Sequence, residues 1–231
     1  LGARTAYLRE PYSDDPSTRG VLLADRRFLA EAMRESRGRG LRLAIHAIGD
    51  GALDEVIAAA RDAKVRGFRV EHASIAWDDQ IESLRELEAR VVVQPRFRVS
   101  DWWIDRRLGH RVRLAYRFKT MVRRGVKVAL SSDAPVEPFD PNETLKAAMA
   151  ECSQPSCFKE EALELREALL SYTKLAAEAS GGPLRWSGVI ERGYAADFTI
   201  SKLNPVWDRA FEPLEVVVSG IVASSTFKYL A

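Results

Sequence analysis

Histidine and cysteine are scarce in this sequence, with three and two among 231 residues. The cysteines, Cys152 and Cys157, enclose four residues in Cys-Ser-Gln-Pro-Ser-Cys. That spacing is open to a small disulfide loop or to half of a zinc site. A complete structural zinc site needs a second Cys or His pair, and none is near. The sequence favours two unpaired thiols in a cytoplasmic protein. Long apolar runs are also missing: nothing approaches the ~18 residues of a membrane span. No signal peptide is visible, and Leu-Gly-Ala-Arg-Thr-Ala-Tyr-Leu opens without a methionine, as the middle of a longer chain would. An excess of one charge is lacking too. The net charge is +2, with arginines mixed among carboxylates. A nucleic-acid binder usually shows a basic cluster with interleaved aromatics. Neither a nucleic-acid nor a membrane partner is expected, and a small-molecule substrate is.

What is present reads as an ordinary globular chain, 46% apolar and 29% charged, long enough for a real core. Residues 1–20, with Pro11, Asp14, Asp15, Pro16 and Gly20, read as loop. Residues 21–37 carry a helical apolar stripe through Phe28, Leu29, Ala32 and Met33. Strand and helix then alternate. Strands are expected at 41–46, Phe68–His72, Val91–Gln94 and Val126–Leu130. Helices are expected at Ala52–Ala63, Asp78–Ala89 and 111–124, with Asp78-Asp79 suiting an N-cap. The strands are short and apolar, as in a parallel sheet covered on both faces. A doubly wound sheet and a (β/α)8 barrel both fit this α/β pattern. Helices follow at Pro141–Glu151 and Glu160–Ala179, the second closed by Gly181-Gly182-Pro183. Residues 188–231 change to short strands, at Gly188–Gly193, Asp197–Ser201 and Val216–Ala223, and read as a small β module.

Polar residues fall where apolar strands end. His46 closes Leu-Arg-Leu-Ala-Ile-His, His72 closes Phe-Arg-Val-Glu-His, and Asp133 follows Val-Lys-Val-Ala-Leu-Ser-Ser. In a parallel sheet all carboxyl ends face one way, so these side chains gather at one mouth. A lone histidine at a strand end is more often a packing residue than a ligand. Here two of three histidines end consecutive strands and an aspartate follows the last, so the set reads as metal ligands. Asp133 also fits a general base that takes a proton from an attacking water. His110, in a polar stretch, reads as a surface residue, and Glu71 as a paired carboxylate. Gln94 closes the third strand as a candidate for lining the mouth, and Trp102, Tyr116 and Arg117 are candidates for shaping a substrate pocket. The loop His46-Ala-Ile-Gly-Asp-Gly-Ala52 has glycines for tight turning and leads into a helix whose N-terminus could take an anion. It matches no dinucleotide fingerprint, and no phosphate loop follows the first strand, which disfavours a nucleotide-binding domain.

Seven stretches together resemble the amidohydrolase superfamily, in particular amidohydrolase family 3 with its N-substituted formamide deformylase-like enzymes. They are Leu1-Gly-Ala-Arg-Thr-Ala, Glu10-Pro-Tyr-Ser-Asp-Asp-Pro, His46-Ala-Ile-Gly-Asp-Gly-Ala, Arg69-Val-Glu-His-Ala, Val93-Gln-Pro, Leu130-Ser-Ser-Asp-Ala-Pro-Val and Gly188-Val-Ile-Glu-Arg-Gly-Tyr-Ala-Ala-Asp-Phe. They run the length of the chain in the family's order. The resemblance implies a TIM (β/α)8 barrel beside a small β-sandwich. Residues 1–187 would hold barrel strands five to eight, the C-terminal half, and residues 188–231 part of the sandwich. It implies hydrolysis of a carbon–nitrogen bond other than a peptide bond by a divalent metal, zinc first, with iron, manganese or cobalt as alternatives. His46 and His72 match the ligands on strands five and six, and Asp133 the strand-eight aspartate. The family's His-x-His of strand one and its bridging lysine or carboxylate near strand four have no match in these 231 residues. A fragment of a longer enzyme, completed by a missing N-terminal half or by self-association, is therefore expected. The alternative is a degenerate domain with a structural or regulatory role.

Overall fold

The computed structural model describes residues 1–182, 186–203 and 212–225. Helix α1 (Arg26–Gly38) leads into strand β1 (Ala44–Ala47), followed by α2 (Asp50–Ala63), β2 (Arg69–His72), α3 (Asp78–Glu86) and β3 (Arg90–Val93). Two short helices, α4 (Phe97–Ser100) and α5 (Ile104–Leu108), precede α6 (Phe118–Arg123) and β4 (Lys127–Leu130). Then come α7 (Pro141–Ala148), α8 (Leu165–Tyr172), α9 (Lys174–Ser180) and the strands β5 (Phe198–Ser201), β6 (Pro213–Val218) and β7 (Ile221–Ser225).

Strands β1 to β4 lie side by side in chain order, all parallel. The register aligns Ile45, Val70, Val91 and Val128 in one row across the sheet. That row joins the main core with Met33 of α1, Leu53 and Val56 of α2, Ile81 and Leu84 of α3 and Met121 of α6. The crossover helices thus share one face of the sheet. A doubly wound sheet reverses direction and covers both faces with crossovers; an order of 1-2-3-4 with its crossover helices on one side is instead singly wound. On the opposite face, Val92 and Ala129 pack against Leu175, Ala176 and Ala179 in and around α9. That cover stops before β1, where Ala44 and His46 are exposed. Among the described residues, strands β1 and β4 each keep one unpaired edge. No helix among the described residues is long and apolar enough to cross a membrane.

Several expected elements come out differently. The helix expected at 111–124 is interrupted. A 3-10 turn covers Gly109–Leu114, and Ala115 forms a β-bridge with Ile75. The Tyr116 N–H donates to Ser74 O at φ 53, so this stretch is bonded to the loop after β2 rather than to its own preceding turn. The helix expected at 160–179 breaks at Thr173, where Gly188 approaches so closely that a Cβ on it would stand 2.8 Å from the Thr173 carbonyl. Pro183 of its expected stop signal lies outside the described residues. Helix α3 is capped by Trp77, with Asp78 in its first turn. Residues 188–193 form bends and turns instead of a strand. The single strand expected at Val216–Ala223 is a hairpin. Ser219 and Gly220 both take positive φ, 51 and 78, the requirement of a tight two-residue turn. The resulting antiparallel sheet runs β5-β6-β7; residues 204–211 and 226–231 of the expected β module lie outside the described residues.

The expectation of free thiols is also corrected. Cys152 and Cys157 form a disulfide with Cα atoms 6.0 Å apart. The chain between them turns back through the Cys157 N–H bond to Gln154 O, and Ser156 is buried with its hydroxyl donating to Arg98 O. Local folding of this loop, not spacing, brings the sulfurs together. Loop-closure entropy for so short a ring predicts about 2 kcal/mol of stability lost on reduction. Thermal unfolding with and without a dithiol checks this, and an unchanged Tm with both thiols titratable would count against it.

Candidate active site

The carboxyl ends of the four parallel strands carry His46, His72, Gln94 and the run Ser131-Ser132-Asp133. In register His72 stands opposite Ala47, whose side chain is in the core. Strict alternation would send His72 there too. Both His72 and Ala73 take positive φ instead, 75 and 44, and the His72 ring meets His46. Left-handed backbone at non-glycine residues costs on the order of 1–3 kcal/mol each and gathers at functional sites. Asp133, at φ 62, is a third such residue at this mouth.

The two rings meet edge to face, with His72 Nε2 and His46 Nδ1 2.9 Å apart. His72 is buried and its Nδ1 has no hydrogen-bond partner among the described residues. Burial, and then the neighbouring His46, push its pKa down to about 4; Asp133 and Gln94 act weakly in the other direction. His72 is therefore a neutral imidazole across the neutral range, the form that binds metals. Two nitrogens on one tetrahedral ion, each about 2.0–2.1 Å from it, stand about 3.3 Å apart. The observed pair is within a few tenths of an ångström of that, so the imidazoles fit a divalent cation. Asp133 is half-buried and close enough to favour the charged form of His72. Yet among the described residues no three His, Cys, Asp or Glu groups converge as a metal would require. The structure brings His46 and His72 together and leaves Asp133 short of joining them.

Gln94 is buried beside this pair. Its amide donates to Ser131 Oγ and Val92 O, each at 3.1 Å, and its Oε1 has no hydrogen-bond partner among the described residues. It links the ends of β3 and β4 at the mouth. Trp102 is exposed. Tyr116 and Arg117 are held by structural contacts instead. The buried Tyr116 hydroxyl donates to Asp101, whose carboxyl burial shifts upward. Arg117 reaches Ala76 O and pairs with Asp78 at 2.7 Å, bracing the start of α3. His110 is exposed, and Glu71 pairs with Arg69.

The loop after His46 is shaped by contacts that its sequence does not show. Gly49 has φ −87, so no left-handed turn explains it. A Cβ there would fall 2.1 Å from Tyr7 O, and one on Gly51 would fall 2.8 Å from the Leu8 carbonyl group. The glycines admit the backbone of residues 7–8, and the Tyr7 carbonyl accepts the Ala52 N–H. Asp50, fully buried, accepts from the N–H groups of Arg9 and Gly51 and from Trp77 Nε1. These groups fill the start of α2, the position that the sequence offers to an anion. They also tie the β1 loop to the start of α3.

A family model described as the amidohydrolase family matches residues 1–222. The chain belongs to that family. Among amidohydrolase-family relatives it is similar to YtcJ of Bacillus subtilis (strain 168), with 37% identity over 218 residues, 89% of this chain and 40% of that protein. It is 31% identical over 187 residues to the N-substituted formamide deformylase of Arthrobacter pascens, which is 76% of this chain and 34% of that enzyme. Its fold is similar to the crystal structure of an uncharacterized metal-dependent hydrolase from Pyrococcus horikoshii OT3. The TM-score is 0.83 at 41% identity, over 89% of this chain and 43% of that one. The chain spans less than half the length of each of these proteins.

Proposed function

We propose that this chain supplies the strand-five-to-eight half of a (β/α)8 barrel in a metal-dependent hydrolase of carbon–nitrogen bonds other than peptide bonds. The observation that carries the reading is the pair of imidazole nitrogens 2.9 Å apart at the carboxyl edge of a singly wound parallel sheet. The half-barrel is supported by two unpaired edges, by the exposed inner face at β1, and by the share of the relatives' length that the chain covers. Residues 1–187 would form that wall, and residues 188–231 part of a small β-sandwich. The rest of the barrel comes from the N-terminal half of the polypeptide or from another chain.

In this reading His46 and His72 hold a divalent metal, with zinc the first choice. That ion would supply Lewis acidity, which lowers the pKa of a water to roughly 7. Asp133 takes the proton of the attacking water and returns it to the leaving nitrogen. Gln94 and Ser131 fix the ends of β3 and β4 around the reacting group, and the substrate is a small amide, formamide or cyclic amide. A second reading, a non-catalytic domain of the same family, is favoured by one observation: Asp133 does not converge with the two histidines.

Elemental analysis of the intact polypeptide separates the two. At least one divalent metal per chain is expected. Asp133→Asn should keep most of that metal and lower amide turnover by 100-fold or more, about the range for losing a general base. Metal-free protein from metal-replete preparations would overturn the catalytic reading.

A further inference from the structure

We propose that the amino-terminal end of the parallel sheet carries a binding site for a small phosphate ester, at the opposite end of the strands from His46 and His72. A cavity of about 380 Å³ opens between α1 and the segments entering β1 and β2. Arg37, Arg42, Arg66 and Arg90 line it, with Val65 and Phe68 among its apolar residues, and among the described residues no carboxylate does. Elsewhere in the chain, most arginines near the surface pair with Asp or Glu. Arg66 does so here, with Glu88 at 2.9 Å. Arg37, Arg42 and Arg90 form no ion pair among the described residues; Glu178, near Arg42, reaches Lys127 instead.

Helix ends account for only part of this charge. Arg37 donates to Lys64 O at the end of α2, Arg66 to Glu86 O at the end of α3 and Arg42 to Glu178 O in α9. Each helix C-terminus carries about half a negative charge, so these three ends and that of α1, which itself lines the cavity, offset about two-thirds of three unpaired guanidiniums. Each of those bonds also leaves other guanidinium N–H groups available. Arg90 donates to Gly67 O while its Nε is buried with no hydrogen-bond partner among the described residues. Burial, followed by repulsion from Arg90 and Arg69, lowers the proton affinity of Arg42, so the cluster stabilises itself poorly without a counter-charge.

The chemistry of the wall selects the ligand. Guanidinium forks match carboxylate and phosphate oxygens two at a time. Several forks around one cavity exceed what the two oxygens of a carboxylate can use, whereas a phosphoryl group offers three. Leu41 and Leu43 provide apolar surface beside them for an organic substituent, over the buried Met33, Val65 and Phe68. The positive charge must come from side chains, because the helices present their negative ends here.

The test uses the full chain, inorganic phosphate and phenyl phosphate, with potassium chloride at matched ionic strength. Both phosphates should raise Tm in a saturable way, phenyl phosphate at several-fold lower concentration, and chloride should not. Arg90→Gln should weaken phosphate binding at least tenfold. Arg37→Gln, on the exposed side of α1, should weaken it several-fold while leaving the unliganded Tm nearly unchanged. Arg123→Gln, outside the cavity lining, should bind as the unaltered chain does. An equal Tm rise in chloride, or unchanged affinity in both Arg90→Gln and Arg37→Gln, would overturn the site. Equal affinity for the two phosphates would overturn the assignment to an ester.

Discussion

His72→Ala in the intact polypeptide is expected to lower divalent-metal affinity by at least about 100-fold, the upper end of what loss of a mere supporting group costs a metal site. The effect is large because burial already holds this imidazole neutral, with a pKa near 4, so no proton competes for it above weakly acidic pH. Its Nε2 is also the group that faces His46, and its removal leaves a single imidazole at the mouth. Competition with a chelator measures the affinity, and far-UV circular dichroism shows whether the sheet persists. His72→Gln, closer in size and hydrogen-bonding capacity, controls for the loss of a buried side chain. Unchanged metal content in folded His72→Ala and His72→Gln proteins would remove His72 from the ligand set.

Arg98→Ala is expected to destabilise the fold by roughly 3–5 kcal/mol, the range for uncovering buried polar groups and opening a core cavity together. Arg98 is fully buried, and burial pulls its pKa down to about 10. Its guanidinium donates to Tyr116 O at 2.6 Å and Glu161 O at 2.7 Å, and more loosely, at 3.4 Å, to Ala147 O and Ala148 O. It also stacks over the Phe118 ring at 4.3 Å. One side chain therefore ties the segment before α6, the end of α7 and the turn before α8 to the chain leaving β3. Arg98→Lys should recover little, since an ammonium cannot reach carbonyls on several sides of a plane. Arg98→Met fills the volume but leaves the carbonyls without donors, so it too should stay well below the unaltered protein. Urea unfolding midpoints compare the variants; a loss under about 1 kcal/mol for Arg98→Ala, within the ordinary scatter of substitutions, would refute the role.

Arg98 is also a measure of what could be read beforehand. Nothing in Pro95-Arg-Phe-Arg-Val99 distinguishes Arg98 from Arg96, which is only partly buried and pairs with Glu143 and Glu137. The difference depends on carbonyls contributed from positions 116, 147, 148 and 161, far along the chain. Tyr116 and Arg117 show the same limit from the other side. Their composition suited a pocket, but the bridge between Ala115 and Ile75 turned the backbone and committed their polar atoms to Asp101, Ala76 O and Asp78. His46 and His72 were legible because their placement needs only two local facts: each ends an apolar strand, and parallel strands end on the same side.

The sequence by itself determined the alternation of short apolar strands with amphipathic helices, since a two-residue and a 3.6-residue period are local properties of side-chain direction. Through its motifs it also determined the family, and through strand ends the position of the two histidines. Only the tertiary structure decided that the sheet winds in one direction with its crossover helices on one face, which requires pairing between strands 21 to 37 residues apart. It alone decided the contact between the imidazoles, the disulfide, the glycines that admit residues 7–8 and the unpaired guanidiniums at the far end of the sheet. Each of these depends on which distant atoms meet, and on how much water is excluded where they do, and neither is written in any local stretch of residues.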